Sequence, residues 1–143
     1  MSHYRQILVA VDLSEHSDAV CDTASKLADL FGATLSLLHV VEYVPVEPMG
    51  EALLPSVDLP EELRASAQAR LAALAKKHQL TEATQEIRIG NIKSELVQLA
   101  QDIEADLIIL GSRERHGLAI LVNYTEDTIL HAAPCDLLAV RVR

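Results

Sequence analysis

The sequence predicts an α/β fold in which helices cover both faces of a five-stranded parallel sheet. Five short apolar runs alternate with amphipathic stretches along 143 residues, the length of one ordinary domain. Half of the residues are hydrophobic but only 3% are aromatic, so Val, Ile, Leu and Ala must form the core. Strand–helix alternation of this kind produces right-handed crossovers and a doubly wound sheet. We therefore expect a single domain over residues 1–143.

The first strand is predicted at Ile7–Asp12, an uninterrupted apolar run typical of a central, buried strand. Ser14 is a candidate N-cap for the helix that follows. Apolar residues then recur at helical spacing up to Phe31, and Gly32 stands where a left-handed C-terminal residue is expected.

The second strand, Ala33–Val41, is again apolar, and a long connection containing three prolines follows it at Glu42–Leu59. This connection exceeds ordinary loop lengths, so a functional flap and a disordered segment both remain open. Pro60 then opens the second helix, because proline is favoured in a first helical turn. The inner face of this helix is marked by Leu63, Ala67, Leu71, Leu74 and His78.

The third strand, Thr84–Ile89, is more polar and alternates, which predicts a position at the edge of the sheet. A third helix follows, with apolar residues on one face at Ile92, Leu96, Leu99 and Ile103. The chain then continues with a fourth strand, a fourth helix and a fifth strand at Asp106–Leu110, Leu118–Ala132 and Leu137–Val142. The count is five strands and four helices.

The predicted strand order is 3-2-1-4-5, which places a topological switch point between strands one and four. Sheets of this kind bind ligands at the carboxyl ends of their strands at such a point. Asp12 and Gly111 stand at those two ends. Any small-molecule site is therefore expected around the segment Gly111–Glu126.

The chemistry of this region leaves alternatives open. The loop Gly111–Gly117 suits phosphate, because glycine admits backbone amides and a helix N-terminus follows, with Arg113 and Arg115 adding charge. A solvated loop of mixed charge is the other interpretation. Asp12 has the chemistry to bind a ribose hydroxyl, to hold a metal or to cap the first helix.

Enzyme and metal motifs are missing from the sequence. It contains no G-x-S-x-G elbow, no G-x-x-x-x-G-K-[ST] loop and no nucleophile–base pair, so no catalytic residue is assigned. The six histidines show no metal-ligand spacing, and His39 is interpreted as a hydrogen-bonded histidine within a strand. We expect neither an enzyme nor a metal site.

Charge and cysteine content limit which partners and which cellular compartment are expected. A net charge of −9 disfavours nucleic acid and anionic membrane surfaces. The polar N-terminus does not resemble a signal peptide, and no apolar run is long enough for membrane insertion. Cys21 and Cys135 are far apart and are expected to be free thiols, so we expect a cytoplasmic protein.

Four segments carry a resemblance to a known family. ILVAVDLSEHSDAV, LSLLHVVE, DLIILGSR and HAAPCDLLAVRV together resemble, in order and over the full length, the universal stress protein (UspA) family. The resemblance implies a Rossmann-like fold of the adenine nucleotide alpha hydrolase-like type. It also implies a cytoplasmic homodimer, commonly paired through the C-terminal strand, and we expect it to act through contacts with protein partners of unknown identity.

One kind of member binds ATP or AMP through a motif in which G-x-x-G is followed, after about nine residues, by G-[ST]. In such members the Asp after strand one and the backbone after strand two hold adenosine, and Asp12 and Val40 match those positions. Gly111 matches the first motif glycine, but Glu114 occupies the second. The G-[ST] pair that ends the motif corresponds to Asn123-Tyr124 in this sequence.

These departures all oppose phosphate. Glu114 brings a carboxylate towards polyphosphate, and Tyr124 is bulky where a small hydroxyl is expected. The resemblance is thus to the UspA-like kind: a non-enzymatic, dimeric stress-response protein without tight ATP binding and without a cofactor. The alternatives are slow ATP hydrolysis and an ATP- or AMP-dependent switch, for which the nucleotide-binding residues are Asp12, Val40, Gly111, Arg113, Asn123 and Thr125.

Overall fold

The chain forms a five-stranded parallel sheet with helices against both faces. A computed structural model describes residues 3–42, 59–113, 129 and 131–142. The strands lie in the order β3-β2-β1-β4-β5 and every neighbouring pair is parallel, which confirms the predicted fold class and strand order. The elements are β1 (Gln6–Ala10), α1 (Ser17–Phe31), β2 (Thr34–Val41), α2 (Leu59–Lys77), β3 (Thr84–Ile89), α3 (Ile92–Asp102), β4 (Leu107–Arg113) and β5 (Asp136–Val142).

The core has two layers, one on each face of the sheet. Successive strand side chains point to opposite faces, so the central strand β1 supplies both layers. Ile7 and Val9 pack with α1 and α2, whereas Leu8 packs with α3. The continuous apolar run at the start of the chain is explained by this two-sided burial, and β1 is buried through its three middle residues.

The start of α1 differs from the prediction. The helix begins at Ser17 with His16 at the N-cap, and the His16 side chain makes no capping hydrogen bond. Ser14 is wrong as the N-cap because the helix starts three residues after it; its hydroxyl accepts from the backbone N–H of His16 at 3.2 Å and donates to Asp12 Oδ1 at 2.6 Å. The predicted C-terminal residue is confirmed: Gly32 is left-handed with φ of 64°.

The carboxyl ends of two strands also differ from the prediction. β4 continues to Arg113, three residues past the predicted end, because Gly111, Ser112 and Arg113 pair with β5. The predicted loop at Gly111 is therefore strand at its start. β1 ends at Ala10 rather than Asp12, because hydrogen bonds to the Asp12 carboxylate turn the chain there.

Two predicted segments fall largely outside the described residues. These are the connection Glu42–Leu59 and the fourth helix, Leu118–Ala132. Three helices are described in full, while Ile129, His131 and Ala132 are helical at the end of the predicted fourth. Within the described helices, none has the length and apolar character needed to cross a membrane.

Candidate functional site

A cavity of about 500 Å³ opens at the carboxyl ends of β1, β2 and β4. Because β1 pairs with β2 on one side and with β4 on the other, the crossovers that follow these strands diverge here. The volume falls within the range of small-molecule sites. The cavity thus coincides with the place where strand order predicts a ligand.

The cavity wall is mainly apolar and carries negative charge. Apolar side chains from the two core layers line it, among them Leu38, Leu96, Leu110 and Ile129. Two carboxylates are present, and no lysine or arginine occurs among the described lining residues. The polar lining residues are Asp12, His16, Ser17, His39 and Glu42.

Asp12 organises the connection between β1 and α1. Its Oδ1 atom accepts from the backbone N–H of Ser14 at 2.9 Å, from the Ser14 hydroxyl at 2.6 Å and from the Ser17 hydroxyl at 3.0 Å. Ser17 is buried, so this carboxylate fixes the first turn of α1 against the sheet. Asp12 therefore acts as a local anchor of the backbone and also forms part of the cavity wall.

The same connection is held from outside by α2. Leu13 is left-handed with φ of 62°, a conformation that is costly for a residue with a branched apolar side chain. Its carbonyl oxygen accepts a hydrogen bond from Arg70 Nη2 at 2.7 Å. The rim of the cavity thus depends on a contact between α2 and a strained turn.

His39 lies on β2 and is half-buried. Its Nδ1 atom is 2.8 Å from the carbonyl oxygen of Val11, and a carbonyl only accepts, so Nδ1 carries the proton. This bond confirms the interpretation of a hydrogen-bonded histidine. The ring also lines the cavity, a position that the sequence analysis did not recognise.

The cavity brings together three of the six nucleotide-binding residues considered above. Asp12, Val40 and Gly111 all line it. Arg113 ends β4, where its backbone pairs with Val142, and its side chain lies outside the described part of the structure. Two others, Asn123 and Thr125, lie outside the described residues, as do Glu114 and Tyr124.

Gly111 has a packing role that its motif position does not require. A Cβ atom there would lie 3.1 Å from Val20 Cγ2, and Val20 is only 3% exposed. The missing side chain therefore allows α1 to approach β4 closely. Packing accounts for this glycine without any approach to phosphate.

Sequence reasoning missed four polar lining residues: His16, Ser17, His39 and Glu42. Glu42 directly follows β2, and Ser17 opens α1. The rule that ligands bind beyond the carboxyl ends of strands applies to these positions as well as to Asp12 and Gly111. If this rule had been applied to the end of strand two and to the start of the first helix, it would have identified these lining residues.

Thiol and metal chemistry find little support near the cavity. Burial raises the pKa of Cys21 to about 11, with the charges of Asp18 and Asp22 acting in the same direction. Burial likewise raises the pKa of Cys135. Both remain protonated thiols at neutral pH, which makes them poor nucleophiles. Across the described ranges, no group of three or more His, Cys, Asp or Glu is placed to hold a metal ion.

A cluster of polar contacts joins α1 to the end of α2 beside the cavity rim. His78 Nε2 lies 2.8 Å from Asp18 Oδ1 and His78 Nδ1 lies 3.2 Å from Asp22 Oδ1. Lys77 Nζ adds a contact of 2.9 Å to Asp18 Oδ2. The hydrogen bond from His78, followed by that from Lys77, lowers the pKa of Asp18. These contacts hold α2 where Arg70 reaches Leu13.

Comparison with known proteins gives consistent matches along the chain. The family model described as "Universal stress protein family" matches residues 3–141. Universal stress protein A homolog 1 of Coxiella burnetii is 37% identical over 139 residues, which cover 96% of each protein.

Solved structures show the same likeness. The universal stress protein UspA from Lactobacillus plantarum superposes with a TM-score of 0.77 and 26% identity, covering 99% of this chain and 100% of that one. A universal stress protein in complex with cAMP superposes with a TM-score of 0.69 and 20% identity, covering 99% and 100% of the two chains.

Proposed function

Because the chain belongs to the universal stress protein family, we propose that it is a non-enzymatic, dimeric stress-response protein that does not bind ATP tightly. It acts through contacts with protein partners in the cytoplasm, and its cavity accepts a nucleoside better than a triphosphate. The observation that carries this proposal is the charge of the cavity wall. Asp12 and Glu42 are carboxylates, and the described lining holds no lysine or arginine.

The charges argue against a triphosphate. A polyphosphate brings several negative charges towards these carboxylates, and like charges in a poorly solvated cavity repel strongly. The sequence adds Glu114 at the position where nucleotide-binding members have their second glycine.

The apolar part of the wall argues for a nucleoside. Leu38, Leu96 and Leu110 give the wall an apolar surface of the kind that surrounds bound organic rings, and Asp12 is the residue that the family motif assigns to adenosine. The related protein crystallised with cAMP holds an adenosine moiety, which supports the same ligand class here. A second candidate function is therefore an AMP-responsive switch, since AMP carries less charge than ATP.

Calorimetry of thoroughly stripped protein separates these functions. We expect adenosine to bind at least about tenfold more tightly than ATP with Mg²⁺, with AMP between them, because each added phosphate increases the repulsion. Micromolar ATP binding would sink the proposal. AMP binding as tight as that of adenosine would favour the switch.

An Asp12→Asn variant tests whether charge is the cause. The asparagine Oδ1 retains an acceptor for Ser14 and Ser17 while the charge is lost. We expect AMP affinity to rise relative to adenosine in this variant. The Glu104→Gln variant serves as a control, since Glu104 follows α3 and is not among the cavity residues.

The dimer is proposed to form through β5. This strand is one edge of the sheet, and its Leu137, Leu138 and Val140 are only half-buried. The opposite edge strand, β3, carries Glu86 and Arg88, and charged side chains on an edge oppose pairing with another strand. On β5 the charged residues Asp136 and Arg141 lie near the two ends of the strand, and the residues between them are uncharged, so a second copy of β5 can extend the sheet there.

Sedimentation velocity of two edge variants tests this interface. Ala139 and Gln85 are exposed residues on β5 and β3. We expect Ala139→Lys to shift the protein towards monomer and Gln85→Lys to leave the dimer intact. A monomeric wild-type protein at micromolar concentration would refute the dimer, and equal effects of both variants would refute the choice of β5.

The non-enzymatic role and the cytoplasmic location are supported by different observations. No nucleophile–base pair was identified in the sequence, so we expect no phosphate release from ATP in the presence of Mg²⁺ or Mn²⁺. Cys21 and Cys135 are free thiols, which suits a reducing compartment. Fractionation of cells that express the full chain tests the cytoplasmic assignment.

A further inference from the structure

The ring of His39 is held in one orientation by the backbone. Nδ1 donates to the Val11 carbonyl at 2.8 Å, and the strand that carries His39 lies between β1 and β3. When one imidazole nitrogen carries the proton, the other nitrogen of the neutral ring is an acceptor. Because His39 lines the cavity and Nδ1 is engaged by Val11, Nε2 is the ring nitrogen through which a ligand can bond to it, and in the neutral ring Nε2 receives a hydrogen bond.

Most of the rest of the polar wall is biased in the same direction. The carboxylates of Asp12 and Glu42 only accept hydrogen bonds, and the Ser17 hydroxyl already donates to Asp12, whereas the His16 ring can donate as well as accept. The remaining lining is largely apolar. A wall acceptor to which a bound ligand offers no N–H or O–H donor therefore loses its hydrogen bond with water and gains little in return. A ligand that supplies N–H and O–H donors fits this wall better than one that supplies acceptors.

We propose that His39 is a specificity-determining residue, which selects bases that carry an exocyclic amino group by accepting an N–H hydrogen bond at Nε2. This inference rests on the proposed function, because it requires a nucleoside in the cavity. The ribose hydroxyls of such a ligand supply donors to the carboxylates, while the amino group serves His39. The selected class is an aminopurine nucleoside, in preference to a purine nucleoside without the amine.

A pair of ligands isolates the amino group. Purine riboside differs from adenosine by the loss of the exocyclic amine, so its base has no N–H donor. Calorimetry at pH 8 with stripped wild-type protein is expected to show adenosine binding about tenfold more tightly, because a site built to pair a donor rejects an analogue that lacks it.

Two substitutions assign the difference to His39. In His39→Phe the ring shape is retained and the acceptor is lost, so adenosine binding is expected to weaken to the level of purine riboside, whose own affinity stays unchanged. In His39→Gln the side-chain amide can donate to Val11 and its carbonyl can accept from the base, so the preference is expected to persist. His3→Phe, at an exposed position, is the matched control, and thermal melting verifies that each variant is folded.

The outcomes separate this inference from the proposed function. Adenosine binding without any preference over purine riboside overturns the role of His39 and leaves the nucleoside cavity standing. Equal losses of both ligands in His39→Phe also overturn it, since a purely structural residue would give that result. If wild-type protein binds neither ligand, the nucleoside cavity and the selectivity are both wrong.

Discussion

Gly111 illustrates how a single residue links the packing of the core to the position of the site. It belongs to β4, pairs with Val140 of β5 and faces Val20 of α1. The space available to a side chain at this point is set by Val20, which is buried. The glycine thus fixes how closely α1 lies over the sheet next to the cavity.

The substitution Gly111→Ala tests this packing. The added methyl group is expected to lower the free energy of unfolding by about 1 kcal/mol, because contact at 3.1 Å forces Val20 to move and this outweighs the lower entropy of the unfolded chain. Val20→Ala alone should cost about 2 kcal/mol through the space it leaves.

The double variant provides the check in urea denaturation. The two changes compensate in volume, so together they should cost about 1 kcal/mol less than the sum of the single effects. Simple additivity would mean that the alanine methyl group does not meet Val20.

At the scale of elements, α2 packs into the core through Leu71 and Ala75, and polar contacts add to this attachment along its length. Arg64 Nη1 donates to the Ile87 carbonyl at 2.8 Å, and Arg70 reaches Leu13. His78, with a side chain only 10% exposed, joins the end of α2 to two aspartates of α1. The helix is therefore held at its beginning, middle and end, and its middle contact supports the strained turn beside Asp12.

The Asp18 carboxylate gives this attachment a pH dependence. Its pKa is lowered in the folded protein, so its contribution is fully present above the unfolded value near about 4 and is lost as pH falls through the folded value. We expect Asp18→Asn to be less stable than wild type at pH 7, by less than about 1 kcal/mol because the group is partly exposed. The two proteins should converge as the pH falls through the lowered pKa of Asp18 in the folded protein.

Urea denaturation between pH 2 and pH 7 measures this difference. Asp29→Asn, at an exposed position on the same helix, serves as the reference and should show no such convergence. A constant difference between wild type and Asp18→Asn across the range would contradict the role assigned to the carboxylate.

At the scale of the whole molecule, the net charge of −9 acts on assembly. Two copies of such a chain repel one another, and dissolved salt screens this repulsion over a distance that falls from about 30 Å at 0.01 M to about 10 Å at 0.1 M. The half-buried apolar residues of β5 must overcome the repulsion if the dimer forms as proposed.

Salt should therefore strengthen the dimer. We expect its dissociation constant to fall as sodium chloride rises from 0.01 M to 0.2 M, because screening removes repulsion while contacts between apolar residues persist. Sedimentation velocity at several protein concentrations gives the constants. A rise with salt would show instead that ion pairs dominate the interface.

The order of the strands could be predicted because each hydrophobic pattern reports directly on burial. The polar alternation of β3 placed it at an edge, and the unbroken apolar run around Leu8 placed β1 in the centre; both are confirmed. Strand ends were less predictable. The apolar run of the fourth strand stops at Leu110, but backbone pairing with β5 carries the strand to Arg113.

The site could be predicted only in part, for a related reason. Asp12 and Gly111 are adjacent to strand ends in the sequence, so topology alone brings them together. His39 looks like any half-buried strand histidine until its partner, the Val11 carbonyl, is known. Ser14 resembles a helix cap because its competing interaction with Asp12 becomes visible only when the turn is folded.

The central position of β1 has a consequence for how the chain is made. Ile7 pairs with Leu35 on one side but with Leu107 on the other. On a ribosome that adds about 5 to 20 residues per second, the second partner is synthesised roughly 5 to 20 seconds after β1. During that interval the most hydrophobic strand of the protein presents an open edge. Nascent chains of this protein are thus most prone to aggregate, and most in need of chaperones, before β4 emerges.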